Sequence, residues 1–347
     1  MDFLQDLKKI DENILEGNSD ASDIKEFIST GNYALNLNLS GSIYGGIAAG
    51  RSTMFAGESA VGKSFLAQLI AGTAQKMGYD ICVFDSEFAY SKSSILNFMD
   101  PNKAVIFQVD TIEDMRNKCF NLIKLVETKH TDKKIMIILD SVANLSTEKE
   151  RKDIEVGHNA NDMGGRAKIY KSMGRTLTSG LARINAPMLI INHVYANVSG
   201  YGEKEVIAGG SGPMYISSQI VQMSKSKIKD KDGKEVVGSA LRYKIVKNRI
   251  IPPFLSGQID INFKEGINKY YGLLNFAIKT GDIEPDKTRF YVKHLDKKYW
   301  EKDLYQSEVF TEEVLTNIDN WAKDNLKYAT LRDITTDDVT TEETNAE

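Results

Sequence analysis

The sequence predicts an α/β fold built on a mostly parallel, doubly wound sheet, and three observations carry that prediction. Five short runs, Thr53–Ala56, Ile81–Phe84, Val105–Val109, Ile135–Leu139 and Met188–Ile191, are near-continuously apolar, as strands buried on both faces must be. Amphipathic stretches such as Phe65–Met77 and Ile112–Thr128 lie between them, and strands alternating with helices call for parallel crossover units. A Gly-rich turn over 57–64 joins the first run to the first of these helices.

The elements divide the chain into four stretches. In residues 1–30, Phe3, Leu7, Ile10 and Ile14 recur at helical spacing. Gly17-Asn18-Ser19 breaks that pattern, and Ser22 or Asp23 caps a second short helix carrying Ile24, Phe27 and Ile28. A helical piece this short buries little surface alone, so it docks either on the main domain or on a neighbouring copy. Residues 31–280 hold the α/β domain. Within it Ile220–Met223 and Leu241–Val246 flank a Lys-Asp-Gly-Lys turn at 231–234, the pattern of a β-hairpin added to the sheet edge, and Ile259–Phe263 gives one more strand. Residues 281–330 are more polar, with a helix expected around 308–324. The last stretch, 331–347, is rich in threonine and acidic residues with almost no apolar content, which predicts disorder.

Composition narrows the function classes. A chain of 347 residues that is 41% hydrophobic can bury a core without staples. With only Cys82 and Cys119, a disulfide framework or a cysteine zinc site is not expected. The longest apolar runs fall far short of the roughly 20 residues that span a bilayer, and the acidic N-terminal stretch lacks the order of a signal peptide. A soluble cytoplasmic protein without membrane partners is expected. The net charge of −4 excludes a uniformly basic coat but leaves room for a basic stripe.

The turn Gly57-Glu58-Ser59-Ala60-Val61-Gly62-Lys63-Ser64, followed by Phe65, satisfies every fixed position of the P-loop pattern, with a strand before it and a helix after it. Glycines let the backbone curl its N–H groups toward an anion, and the helix N-terminus adds partial positive charge. Lys63 reaches the β- and γ-phosphates of a nucleotide, and the Ser64 hydroxyl can ligate Mg²⁺. Asp140 ends a buried strand, where a carboxylate supports that metal. Asp85 and Glu87 both follow the strand Ile81–Phe84, and spacing alone does not decide which of them orients an attacking water.

Several segments together resemble the RecA family of recombinases, most closely its UvsX-like phage branch. They are GESAVGKS (57–64), CVFDSEF (82–88), IILDSVANL (137–145), MGGRAK (163–168), LIINH (189–193), AGGSGPMY (208–215), VVGSALRYKIVKNR (236–249) and FKEGINKYYGLL (263–274). The resemblance implies a RecA-type P-loop core binding ATP and Mg²⁺. It implies that Glu87 activates water, that Asp140 and Ser141 form the second nucleotide motif, and that His193 senses the γ-phosphate. Lys247 and Arg249 match a basic pair that reaches a neighbouring subunit's ATP.

Residues of about 150–166 and 194–211 match two DNA-binding loops. The first and the helix after it contribute Met163, Gly164, Arg166, Lys168, Lys171 and Arg175, a track for a phosphate backbone. The second is a Gly-rich loop with Tyr195, Tyr201, Gly209 and Gly210, suited to stacking on bases and binding phosphates. The residues after Glu87 depart from the family pattern, so adenine contacts are not transferred.

The resemblance therefore implies an ATP-dependent recombinase that forms helical filaments on single-stranded DNA and pairs it with homologous duplex. Single-strand-binding and loading proteins are further expected partners, and the host cytoplasm is the setting if the chain is phage-encoded. A hexameric helicase or motor of the same fold is the rival enzyme. A non-catalytic ATP-binding mediator is the rival of another class, and intact Lys63, Glu87 and Gly-rich loops argue against it.

Overall fold

The computed structural model describes residues 23–157, 164–197, 205–229, 233–264 and 266–328. The first expected helix, with Phe3, Leu7, Ile10 and Ile14, lies outside these residues, as does the acidic stretch 331–347. The expected second helix does not form. Phe27–Ile28 is instead strand β1, paired antiparallel with β2 (Ile47–Ala48). A few residues cannot offset the cost of helix nucleation, whereas strand pairing satisfies their backbone while Ile28 is fully buried in the core.

The main sheet then takes β3 (Ser52–Gly57), β4 (Asp80–Asp85), β5 (Ala104–Gln108), β6 (Ile135–Asp140) and β7 (Met188–Asn192). A short ribbon of β8 (Val194–Ala196) and β9 (Glu205–Ile207) follows. The sheet is completed by β10 (Gln219–Lys229), β11 (Val236–Asn248), β12 (Ser256–Asn262) and β13 (Gly266–Ile267). A separate antiparallel sheet holds β14 (Ile283–Asp286), β15 (Arg289–Val292) and β16 (Lys297–Tyr299).

Strand order in the main sheet is β13-β12-β11-β10-β3-β7-β6-β4-β5. Every neighbouring pair from β10 to β5 is parallel, and β11 to β13 add on antiparallel. This is the mostly parallel, doubly wound sheet with an added hairpin that the sequence predicts. The hairpin's first strand lies directly beside β3, and β12 and β13 continue the sheet past its second strand, so the hairpin extends the parallel strands without being the edge.

The helices are α1 (Tyr33–Ser40), α2 (Lys63–Lys76), α3 (Lys92–Leu96), α4 (Ile112–Lys129), α5 (Glu148–Glu155), α6 (Gly165–Arg183), α7 (Ser211–Ile216), α8 (Leu274–Lys279) and α9 (Glu312–Asn325). Strand side chains alternate between two cores. Phe55, Met136 and Ile138 share one with Leu66, Ala67 and Ile70 of α2. Met54, Ala56, Ile137 and Leu139 share the other with Met115 and Cys119 of α4 and Met173 and Leu177 of α6. Both faces are covered, which is why the strands read as unbroken apolar runs. β5 departs from that expectation: it is the edge strand, and Val105 is 55% exposed.

Local signals set the helix starts. Thr111 caps α4 with Glu113 and Asp114 in its first turn, and Thr147 and Glu150 close a capping box on α5. By contrast α2 and α6 begin at Gly62 and Gly164 with no side-chain cap, leaving their first N–H groups available to an anion. α1 joins α8, β14 to β16 and α9 in enclosing a third core containing Leu37, Ile43, Leu274, Ile283, Phe310 and Ile318. Asp319 of α9 accepts from the Ser42 hydroxyl at 2.6 Å and the Ile43 N–H at 2.9 Å, fastening that helix to the chain's early residues. No helix among the described residues is long and apolar enough to cross a membrane.

Candidate functional site

The P-loop leaves the end of β3 at Gly57 and enters α2 at Lys63. Two of its glycines are required by space and backbone. A Cβ on Gly57 would lie 2.4 Å from the Met223 carbonyl oxygen, and Gly62 adopts a φ of +112°. Ala60 also has a positive φ, and the Lys225 ammonium donates to its carbonyl. Lys63 is buried, and its Nζ donates to the Gly57 and Glu58 carbonyls at 2.9 and 2.7 Å. Burial depresses its basicity, against the charges of Asp140 and Glu87. A phosphate entering the loop would take over that ammonium from the two carbonyls.

A cavity of about 190 Å³ in front of the loop is lined by Ser59 to Phe65 together with Glu87, Asp140, Ile191 and His193. The topology explains how these distant residues meet. The C-terminal tips of β3, β4, β6 and β7 share one end of the sheet, with Ala56 beside Asn192 and Asp85 beside Asp140 in register.

Asp140 has one carboxylate oxygen, Oδ2, bonded to the Tyr90 hydroxyl at 3.0 Å. Its Oδ1 is buried without a protein partner. Burial pushes its carboxyl up to about 6, so a cation here would relieve a real cost. With the Ser64 hydroxyl on the same cavity, the oxygen donors suit Mg²⁺, which binds through few protein groups plus phosphate and water. Among the described residues no cluster of three His, Cys, Asp or Glu side chains could hold a metal by itself. Ser64 and Asp140 therefore fit the expected metal site in company with a nucleotide's phosphates.

Asp85 and Glu87 have different surroundings. Asp85 is fully buried and its oxygens accept the backbone N–H groups of Glu87, Ala89 and Tyr90 at 3.0, 3.3 and 3.2 Å. It shapes the segment 86–90 and has no face toward the cavity lining. Glu87 lines the cavity. Its Oε1 accepts from the Ser141 hydroxyl at 2.5 Å and Asn144 Nδ2 at 3.0 Å, and lies 3.1 Å from His193 Nε2. Partial burial alone would raise the Glu87 carboxyl, but hydrogen bonds from Ser141 and His193, with the nearby charges of His193 and Lys63, hold it below the ordinary range.

His193 follows β7 and opens directly into the β8–β9 ribbon, where the Ala208 N–H donates to its carbonyl at 2.9 Å. The stretch 194–211 is thus partly ordered as a ribbon rather than a plain loop. Its tip, with Gly200, Tyr201 and Gly202, lies outside the described residues. Tyr195 sits on the ribbon at 59% exposure, and Gly209 and Gly210 adopt positive φ where the ribbon turns into α7. Met163 also lies outside the described residues, just before Gly164 at the start of α6.

On α6, Lys168, Lys171 and Arg175 are exposed, and Lys171 sits over the ring of Tyr215. Arg166 is engaged differently from its neighbours: its Nη2 donates to the Ala143 and Leu145 carbonyls at 2.8 and 2.6 Å. It ties the helix to the segment after β6, so the exposed basic face has three members rather than four.

Lys247 and Arg249 are not brought to the cavity. Asn248 between them pairs with Gln219, which pairs with Thr53 near the start of β3, so the pair stands at the opposite end of the sheet from Gly57. Lys247 Nζ donates to the Met214 carbonyl at 2.7 Å, and Arg249 is exposed just past the end of β11.

The structure adds a feature that the sequence reading missed. A cavity of about 710 Å³ shares Ala60 to Gly62 and Phe65 with the P-loop; Leu69, Phe98, Leu241, Ile261 and Phe263 give it a largely apolar wall, and Lys225, Lys227 and Lys264 also line it. Its walls come from α2, β10, β11, β12, β13 and the segment at Asn97–Phe98, and no single stretch of sequence brings them together.

A family model described as the RecA N-terminal domain matches residues 8–268. The chain is 28% identical over 273 residues to the recombination and repair protein of Enterobacteria phage T4, covering 78% of this chain and 68% of that protein. It is 32% identical over 264 residues to protein RecA of Anaplasma marginale (strain Florida), covering 74% of this chain and 68% of the relative. With protein RecA of Paracoccus denitrificans it shares 31% identity over 267 residues, covering 75% and 70%.

Proposed function

The chain belongs to the RecA family of recombinases acting in recombination and repair, and from that premise we propose that it is a DNA-dependent ATPase working as a filament. ATP with Mg²⁺ sits in the P-loop cavity, its phosphates on the open N-terminus of α2 and its base in the apolar cavity beside Phe263. Magnesium, when bound between Ser64 and Asp140, would neutralise charge on the phosphate oxygens. Glu87 accepts a proton from the attacking water as ATP is split into ADP and phosphate. Lys247 and Arg249 complete the site of the neighbouring protomer, as arginine fingers do.

Single-stranded DNA lies along the β8–β9 ribbon, the segment before Gly164 and the exposed face of Lys168, Lys171 and Arg175. Homologous duplex is tested by base pairing, without covalent change in the DNA. The single observation that carries this reading is the 3.1 Å contact of Glu87 with His193, the residue from which the ribbon emerges. It gives the nucleotide site and the DNA-facing ribbon one shared side chain, so that nucleotide state and ribbon geometry move together.

The test is ATP hydrolysis with and without single-stranded DNA, for wild type and Glu87→Gln. Stimulation by single strands that disappears in the variant, while DNA binding persists, is the expected result. Hydrolysis indifferent to DNA would sink the reading. Electron microscopy with ATP and single strands should show helical filaments, whereas closed rings would indicate a motor of the same fold.

A further inference from the structure

We propose that Tyr90 is a positioning residue for the metal site: its hydroxyl fixes which oxygen of Asp140 faces the metal and ties that choice to the segment carrying Glu87. The inference rests on the reading that the P-loop cavity takes a magnesium-bound nucleotide.

The two oxygens of Asp140 differ in their surroundings. A carboxylate offers about four lone-pair directions, and a buried one exposes to a metal only what its neighbours leave free. Tyr90 takes Oδ2 at 3.0 Å, and Oδ1 is the oxygen left without a protein partner. Asp140 also ends β6, so its backbone position is set by the sheet; the Ser64 and Tyr90 hydroxyls both favour its carboxylate, and of the two only Tyr90, bonded at Oδ2, belongs to the segment that carries Glu87. Partners of this kind, bonded to a ligand rather than to the metal, tune both ligand orientation and metal affinity.

Tyr90 is well held for such a task. It is only 8% exposed and packs in the same core as Phe55, Ile138 and Ile191. Its N–H donates to Asp85 Oδ2 at 3.2 Å, while Asp85 Oδ1 accepts the Glu87 and Ala89 N–H groups. One buried aspartate thus hooks the backbone of segment 86–90, and the tyrosine at the end of that segment reaches back to the strand beside it. Ser86 closes a second link, its hydroxyl donating to the Ser141 carbonyl at 2.7 Å and accepting the Ser141 N–H at 3.0 Å. A shift of Glu87 that moves this segment moves the Tyr90 hydroxyl as well, and with it the oxygen offered to the metal. Packing requires a ring at this position; only the link to Asp140 requires a phenol.

The test uses the full chain and a non-hydrolysable fluorescent ATP analogue, titrated with Mg²⁺ at fixed nucleotide. In Tyr90→Phe the Mg²⁺ concentration giving half-maximal binding should rise about tenfold, the lower end of what losing such a partner costs a metal site. Analogue affinity at saturating Mg²⁺ should stay within about twofold of wild type, because the P-loop supplies most of the phosphate contacts.

An unchanged Mg²⁺ midpoint in Tyr90→Phe would overturn the proposal and leave Tyr90 as a packed ring. Tyr90→Leu guards against misreading a folding defect. If only the leucine variant shifts the midpoint, packing is responsible and the proposal falls. Wild type that binds the analogue without any dependence on Mg²⁺ would overturn the magnesium-nucleotide reading itself, a different failure from a variant that matches a metal-dependent wild type.

Discussion

His193 Nε2 lies 3.1 Å from Glu87 Oε1, on the oxygen that also accepts from Ser141 and Asn144. Three groups from the ends of β6 and β7 therefore converge on one atom, and only one of them begins the ribbon. Replacing His193 with alanine leaves Ser141 and Asn144 in place, so Glu87 stays near the cavity but is no longer tied to the ribbon. A hydrogen bond to a charged group contributes about 1.5–3 kcal/mol. Hydrolysis without DNA should thus fall by roughly 10- to 100-fold. Stimulation by single-stranded DNA should fall further, to near none. Steady-state hydrolysis with and without single strands measures both, and full stimulation in His193→Ala would show that the link between ribbon and nucleotide runs elsewhere.

Lys247 and Arg249 make a prediction about assembly. The register Asn248–Gln219–Thr53 puts them at the start of β3, whereas the P-loop begins after Gly57. Four residues of strand span about 13 Å, and the cavity lies beyond, so neither side chain can serve its own protomer's nucleotide. Arg249→Ala should lower DNA-stimulated hydrolysis by about 1,000-fold or more, as loss of an arginine finger does. Analogue binding by dilute protein should be unaffected. Mixing Arg249→Ala with Glu87→Gln should restore part of the activity, because some junctions then pair an intact Glu87 with an intact Arg249. Failure of the mixture to regain activity would place the pair outside the reaction.

How much of this was legible before the structure follows from how each feature is encoded. The parallel strands were, because burial on both faces forces unbroken runs such as Ile135–Leu139. The P-loop was, because its chemistry fits in eight consecutive residues. Glu87 could not be separated from Asp85 by spacing. Only the structure shows Asp85 spending its oxygens on the backbone of segment 86–90. Arg166 read as one more cation of a basic face, since nothing local reveals that carbonyls of Ala143 and Leu145 wait across a turn. Phe27–Ile28 had helical spacing and became a strand, because the partner Ile47–Ala48 is a tertiary neighbour. The apolar cavity by Phe263 was invisible for the same reason: Val61, Phe98, Leu241 and Phe263 are far apart in the chain.

That cavity can be tested apart from the phosphate site. Phe263 is exposed at its rim, where a ring can stack on a nucleobase. Such stacking contributes about 1–3 kcal/mol, so Phe263→Ala should weaken binding of the fluorescent ATP analogue by about 10-fold or more. Inorganic tripolyphosphate, which has no base, should compete equally well against both proteins once the analogue's own change is allowed for. Equal loss for tripolyphosphate would show that the substitution disturbs the P-loop rather than a base site.

Glu26 gives a prediction about stability and its dependence on pH. Its carboxylate accepts from the Tyr79 hydroxyl at 2.5 Å and from Lys134 Nζ at 2.9 and 3.0 Å, and its carbonyl accepts the Ala49 N–H at 2.9 Å. It thereby fastens the segment before β1 to the residues that lead into β4 and β6. Burial alone would raise its carboxyl, but the bonds from Tyr79 and Lys134 outweigh that and hold it below the ordinary 4.5. A carboxyl depressed in the folded state adds stability above its unfolded value, and that stability is lost as pH falls through the folded value. Lys134 is half-exposed, so solvent screening limits the effect to about 1 kcal/mol. Glu26→Gln should therefore melt about 2 °C below wild type at pH 7 in a chain of this size. The gap should narrow as both proteins are taken below pH 4.5, because wild-type Glu26 then gains a proton and becomes nearly isosteric with the variant. Thermal unfolding at neutral and acid pH checks this, and a gap of constant size would show that the carboxylate's charge is not what holds the segment.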